Sequence, residues 1–139
     1  MNSDTLRLMS KLWFASLLLI AVCGCGGSGS GSSTTVSAFA GTWSGTYTNV
    51  ADATDTGTSH WTIKANGNIE GTDVDPVAHV TYATVGSIAA DGTVTATSTP
   101  TGGASVPLSG TLTMTATGLG GNLVWAATPP LTYTYALKK

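Results

Sequence analysis

From Gly41 to the C-terminus, apolar and aromatic residues alternate with threonine and serine, the period of two that a strand with one buried and one wet face requires. No stretch repeats an apolar residue every three or four positions, so a helix would have no continuous stripe to bury. Turn-forming residues recur about every ten positions. Strands are therefore predicted at about Gly41–Asn49, Thr58–Ala65, Asn68–Val74, Ala78–Ile88, Thr93–Thr99, Val106–Thr115, Leu119–Ala126 and Leu131–Leu137. Asn66-Gly67 and Asp91-Gly92 mark hairpins with residues that tolerate positive φ. Pro100 and Pro129-Pro130 fall between strands, where a missing amide hydrogen is harmless.

The alternation also assigns faces. Trp43 and Tyr47 share a side with Gly41 and Gly45; Trp61 goes with Ile63, Leu108 with Leu112 and Met114, and Leu131 with Tyr133, Tyr135 and Leu137. Hydroxyls occupy the other side, which argues against a barrel set in lipid, since that wall must be apolar. A meander of short antiparallel strands with one apolar face hides that face and its edges by curling shut. Glycines within strands, at positions 45, 71, 86, 110 and 121, suit the bends that closure needs. The expected fold is all-β: an eight-stranded antiparallel up-and-down meander closing into a small lipocalin-like barrel, with a β-sandwich as the alternative.

Phe39-Ala40-Gly41-Thr42-Trp43 opens the first strand with a Gly-x-Trp. This resembles the start of the lipocalin and avidin barrels and of the small barrel inhibitors of bacterial metalloproteases, and the chain length resembles the avidin and inhibitor end of that group. Lipocalins pack an arginine from a late strand over that tryptophan. This domain has no arginine, so the resemblance implies architecture and no binding residue.

Ahead of the barrel, Arg7 and Lys11 precede an apolar run from Leu12 to Val22, the charged-then-apolar order of an export signal. The run is about half the ~20 residues a membrane-spanning helix needs. Val22-Cys23-Gly24-Cys25 follows and resembles the lipobox of bacterial lipoproteins. That resemblance implies cleavage before Cys25 and a diacylglycerol there, often with a further palmitate-like chain. Gly24 supplies the small residue the box wants before its cysteine, while Cys23, the alternative site, follows β-branched Val22. An ordinary cut at Ala38-Phe39-Ala40 lies far beyond the run and would remove Phe39. Gly26 to Thr35 is glycine, serine and threonine only, a flexible coil with an end-to-end distance of about 17 Å. The organisation read from these features is a signal peptide over 1–24, a lipidated cysteine and tether over 25–37, and a barrel domain over 38–139. The expected location is extracytoplasmic, anchored to the lipid bilayer of a bacterial cell envelope, at the outer membrane if there is one.

Chemistry-bearing residues are sparse. After the signal, Lys64, Lys138 and Lys139 face six carboxylates (Asp52, Asp55, Glu70, Asp73, Asp75 and Asp91), so there is no basic patch for nucleic acid. His60 and His79 lie near the starts of different strands with no third metal-type partner at a telling spacing. Asp73-Val74-Asp75 and the loop with Asp52 and Asp55 could offer oxygens to calcium but lack the spacing of a calcium loop. Neither a metal, a cofactor nor a catalytic set is expected. The aromatics Trp43, Tyr47, Trp61, Tyr82, Trp125, Tyr133 and Tyr135 form the candidate site. They read first as filling for a narrow interior and alternatively as the lining of a ligand pocket. The expectation is a non-enzymatic binding or envelope-interaction module. A carrier of a small apolar ligand and a protease-inhibitor-like module that binds an envelope protein are the alternatives.

Overall fold

The computed structural model describes residues 36–139. The signal segment, Cys23, Cys25 and the tether residues up to Thr35 lie outside them. Val36–Phe39 forms a short 3-10 helix, followed by β1 (Gly41–Asn49), β2 (Thr56–Ile63), β3 (Asn68–Asp75), β4 (Val80–Ile88), β5 (Thr93–Pro100), β6 (Val106–Thr115), β7 (Gly118–Trp125) and β8 (Leu131–Lys138). Each strand pairs antiparallel with the next, and β8 returns to β1 with Tyr135 opposite Tyr47 and Leu137 opposite Gly45. The sheet is a closed up-and-down barrel and not a sandwich, so every strand has two partners and no edge is exposed.

Several boundaries differ from expectation for local reasons. β2 begins at Thr56, because the Asn49 amide bonds the Asp55 carbonyl and the Thr56 hydroxyl bonds the Tyr47 carbonyl, drawing Thr56 and Gly57 into the ladder. Ala78 and His79 belong to the β3–β4 turn, where the Asp75 carboxylate accepts the Val77 and Ala78 amides. Pro100 is not between strands but ends β5, and Pro107 stands within β6. Residues 36 and 37, expected in the tether, open the short helix.

The two hairpin turns are built differently from a pair of positive-φ residues. Only Gly67 (φ 87°) and Gly92 (φ 86°) adopt positive φ. Asn66 and Asp91 instead accept the amides of Asn68 and Thr93 through their side chains. In each turn the glycine amide donates to the carbonyl three residues back, Lys64 or Ala89, and the Gly67 and Gly92 carbonyls accept the Ile88 amide of β4 and the Leu112 amide of β6.

Alternation places side chains as the sequence requires. Trp43, Trp61, Ile63, Ile69, Ile88, Val94, Leu108, Leu112, Leu119, Leu123, Tyr135 and Leu137 point inward and are buried. Gly45, Gly71, Gly86, Gly110 and Gly121 share inward positions where the neighbouring strand leaves no room for a side chain; at Gly45 a Cβ would stand 2.0 Å from the Ala136 carbonyl oxygen. One inward residue departs: Met114, at the end of β6, is exposed.

The turns at 64–67, 89–92 and 116–117 lie at one end of the barrel with the short helix. Phe39 is buried there and its carbonyl accepts the Trp43 indole N–H at 2.8 Å. Over the Trp43 ring, 4.8 Å from its centre, lies the Lys139 ammonium. A lysine just after β8 thus places a cation on this ring. This is the closed end.

Candidate functional site

The loops 50–55, 76–79, 101–105 and 126–130 gather at the other end, and the inward residues there change character. Six of the seven candidate aromatics form one continuous chain of ring contacts. Tyr82 meets Trp125 edge-on at 4.8 Å, Trp125 meets Tyr133 at 5.8 Å, and Tyr133 meets Tyr47 at 5.4 Å. Tyr47 then meets Tyr135 at 5.7 Å, and Tyr135 meets Trp61 at 5.1 Å. Trp43 stands apart at the closed end. The Tyr47 ring lies across β2 at Gly57, where a Cβ would come 2.3 Å from the ring and hydroxyl, so the absence of a side chain there creates its seat.

Under the rings is a polar group that strand alternation alone did not reveal. Asp73 has no exposed surface and is held by three donors from neighbouring strands. The Ser59 hydroxyl and the Trp61 indole N–H, the latter at 3.0 Å, donate to Oδ1, and the Thr84 hydroxyl donates to Oδ2 at 2.5 Å. Thr84 also contacts the Ser98 hydroxyl at 3.3 Å. Burial raises the Asp73 pKa, and the three hydrogen bonds oppose that rise. Asp73 shares an inward parity with Ile69 and Gly71, which was the available signal. It was weak because β3 carries a single large apolar residue on that face.

Two further carboxylates stand nearer the loops. Asp55 accepts the Asn49 amide nitrogen at 2.8 Å and the Tyr133 hydroxyl at 2.9 Å. Asp75 caps the β3–β4 turn. Their charges reach the phenols: burial first, then Asp75 and Asp73, push the Tyr47 hydroxyl well above its ordinary value. Burial and then Asp75 and Asp55 raise Tyr82 as well, and burial with the Asp55 contact pushes Tyr133 well up. Tyr135 is raised by burial and then by Asp73.

Two polar atoms in the ring chain have no hydrogen-bond partner, the Tyr135 hydroxyl and the Trp125 indole N–H. Tyr135 is 1 % exposed, so water does not reach its hydroxyl. The nearby Trp125 nitrogen partly offsets the rise in the Tyr135 pKa without reaching hydrogen-bond geometry.

The remaining candidates lie elsewhere. His60 points outward and shares a 2.8 Å hydrogen bond with Ser44 on the exposed wall. Among the described residues no carboxylate orients its far nitrogen. His79 sits in the β3–β4 turn at φ 54°. Asp52 accepts the Thr54 amide and hydroxyl, so the acidic residues once considered for calcium are turned on separate local donors. No three His, Cys, Asp or Glu side chains converge as a metal ligand set among the described residues.

Fold and site together define a small closed up-and-down barrel with a dry apolar end and an aromatic, acidic open end. Compared with known proteins, the chain matches no family model, no curated protein and no solved structure at a significant level.

Proposed function

We propose that this chain is a lipid-anchored, extracytoplasmic binding module of a bacterial envelope, without catalytic activity, whose recognition surface is the open end of the barrel. One observation carries the reading: the open end joins partly exposed rings to buried polar atoms that lack partners, whereas the lumen beneath is filled. Trp61, Asp73, Thr84, Ser98, Leu108 and Leu123 have no solvent-reachable surface, so a deep apolar ligand would have to displace packed side chains, at a cost comparable to overpacking a core. A shallow ligand or a partner's side chain lying on the loops would not have to displace that packed lumen. This favours recognition at the rim over the deep-carrier alternative.

Lipidation at Cys25 would attach the anchor, through the Gly26–Thr35 tether with its typical span of about 17 Å, to the closed end where the short helix begins at Val36, and not to the rim. The Thr and Ser of the outer wall suit water and not lipid. Native mass spectrometry of the full chain in non-ionic detergent, together with crosslinking in envelopes, tests the binding reading. A co-purified small molecule or a specific crosslinked protein supports it, and a clean mass with no crosslinked partner refutes it. For the anchor, Cys25→Ala should abolish acylation and membrane fractionation while Cys23→Ala leaves both. Acylation that persists without Cys25 moves the site to Cys23.

A further inference from the structure

We propose, building on the anchoring at Cys25 described above, that the closed end of the barrel lies on an anionic phospholipid surface. This is a second, non-covalent membrane contact made by the folded domain itself, and it turns the open end away from the bilayer.

The chain enters the barrel at this end. The short helix begins at Val36, and only Gly26–Thr35 separates it from Cys25. The typical span of that tether, about 17 Å, is less than the height of about 20 Å that eight-residue strands give when tilted as in small barrels. An anchored domain therefore meets the bilayer with its closed end first.

Charge points the same way, independently. All three described lysines stand at the closed end and are exposed, Lys64 in the turn after β2, Lys138 at the end of β8 and Lys139 just beyond it. Lys64 pairs with Glu70 at 2.5 Å, whereas Lys138 and Lys139 make no ion pair among the described residues. Asp91 is the other side-chain carboxylate at this end, and it accepts the Thr93 amide within its own turn. The opposite end carries Asp52, Asp55 and Asp75 at its loops and no lysine among the described residues. An anionic surface thus repels the open end and favours the closed one.

The surface of the closed end suits headgroups. Beside Lys138 lies a shallow depression of about 230 Å³ lined by Thr115, Thr117, Gly118, Gly120 and Ala136. The Thr115 hydroxyl donates to the Gly118 carbonyl at 3.2 Å, so the Thr117 hydroxyl and the Lys138 ammonium are the donors left for a lipid phosphate. A second depression, about 180 Å³, is lined by Phe39, Ala90, Leu112, Thr113 and Met114 together with Asp91. Met114 is 43 % exposed there. Cations beside exposed apolar groups hold a protein surface at headgroup depth, while the hydroxyl-bearing walls stay in water.

The test adds the full acylated chain, purified in non-ionic detergent, to vesicles of phosphatidylcholine with or without phosphatidylglycerol. Acetylation by a water-soluble amine reagent, read lysine by lysine by mass spectrometry, reports which of them are covered. With phosphatidylglycerol present, Lys138 and Lys139 should react about fivefold more slowly than on phosphatidylcholine alone. The difference should fade as salt rises, and carbodiimide labelling of Asp52 at the open end should not change. Equal lysine rates on the two kinds of vesicle overturn the proposal, and flotation of the chain with the vesicles then still upholds the anchor. Slower labelling of Asp52 in place of the lysines means that the rim faces the bilayer and overturns it too. Protection already present in detergent means that another copy of the chain covers the lysines and overturns the lipid assignment. A chain that does not float with the vesicles has no anchor, which overturns the anchoring and the orientation together. None of these comparisons needs a variant, so misfolding of a substituted chain cannot mask the result.

Discussion

The two ends of this barrel share one strand grammar and differ in what they do with it. At the closed end the turns at 64–67 and 89–92 are held by glycine and Asx bonds, and Trp43, Ile63, Leu112 and Leu137 share the core with Phe39 of the short helix, whose carbonyl satisfies the Trp43 indole N–H. At the open end the same inward positions carry Tyr47, Tyr82, Asp73, Ser98 and Tyr133, with two polar atoms unpaired. The contrast teaches where stability and recognition reside. Apolar burial contributes in proportion to the area removed from water, whereas buried polar groups stabilise only when fully partnered. The closed end thus supplies the stability that allows an imperfectly satisfied open end.

Substitution at matched inward positions breaks or sharpens this contrast. Trp43→Ala should cost about 3–5 kcal/mol, the range for deleting a large buried aromatic, while Tyr82→Ala, at a partly exposed position, should cost less. Urea unfolding of the two variants measures the difference, and equal losses would mean that the ends are energetically alike.

Next in size is Asp73. Asp73→Ala leaves two hydroxyls and an indole N–H without their acceptor, so a loss of about 2–3 kcal/mol is expected. The acid also has a pH signature. Its folded pKa lies above the ordinary 3.8 because it is buried, so the folded state holds the proton more tightly than the unfolded chain. The stability this adds is fully present below 3.8 and is lost as pH rises through the folded value. Thermal melting above 3.8 should therefore show a decline with rising pH that Asp73→Asn removes. Exposed Asp52 and Asp91, whose pKa values are lowered by hydrogen bonds led by Thr54 and Thr93, act oppositely, and their contribution disappears as pH falls below 3.8. A wild-type curve that instead rises through the Asp73 window would mean that Asp73 is charged in the fold.

Gly57→Ala should cost about 1–3 kcal/mol by forcing a methyl against the Tyr47 ring. The damage should be confined to the open end, visible as lost hydrogen-exchange protection near Tyr47 and Tyr133 with Trp43 unaffected. Smallest is Lys139→Ala, about 0.5–1 kcal/mol for an exposed cation over a ring, read as a slight fall in the melting midpoint. A larger loss would make that contact a major clamp on the closed end.

Much of the fold was legible from local pattern. Period-two alternation named most inward residues, among them Trp43, Trp61, Leu108 and Tyr135, and turn chemistry located both glycine hairpins. The candidate site was only half legible. Its aromatics stand out by size, but which of them meet depends on how far along the barrel each strand is shifted. That shift put Tyr133 against Tyr47 and left Trp43 at the far end. Asp73 was obscured because its donors, Ser59, Trp61 and Thr84, come from strands on both sides and are ordinary strand residues when read singly.

By itself the sequence determined the period, the turns and the apolar face, because these follow from φ/ψ preferences and side-chain alternation within a few residues. Only the tertiary structure decided that β8 closes on β1, that Lys139 covers Trp43, and that a carboxylate sits buried among hydroxyls beneath a chain of rings. Those outcomes depend on register between strands distant in sequence, where a shift of one residue would turn every inward side chain outward.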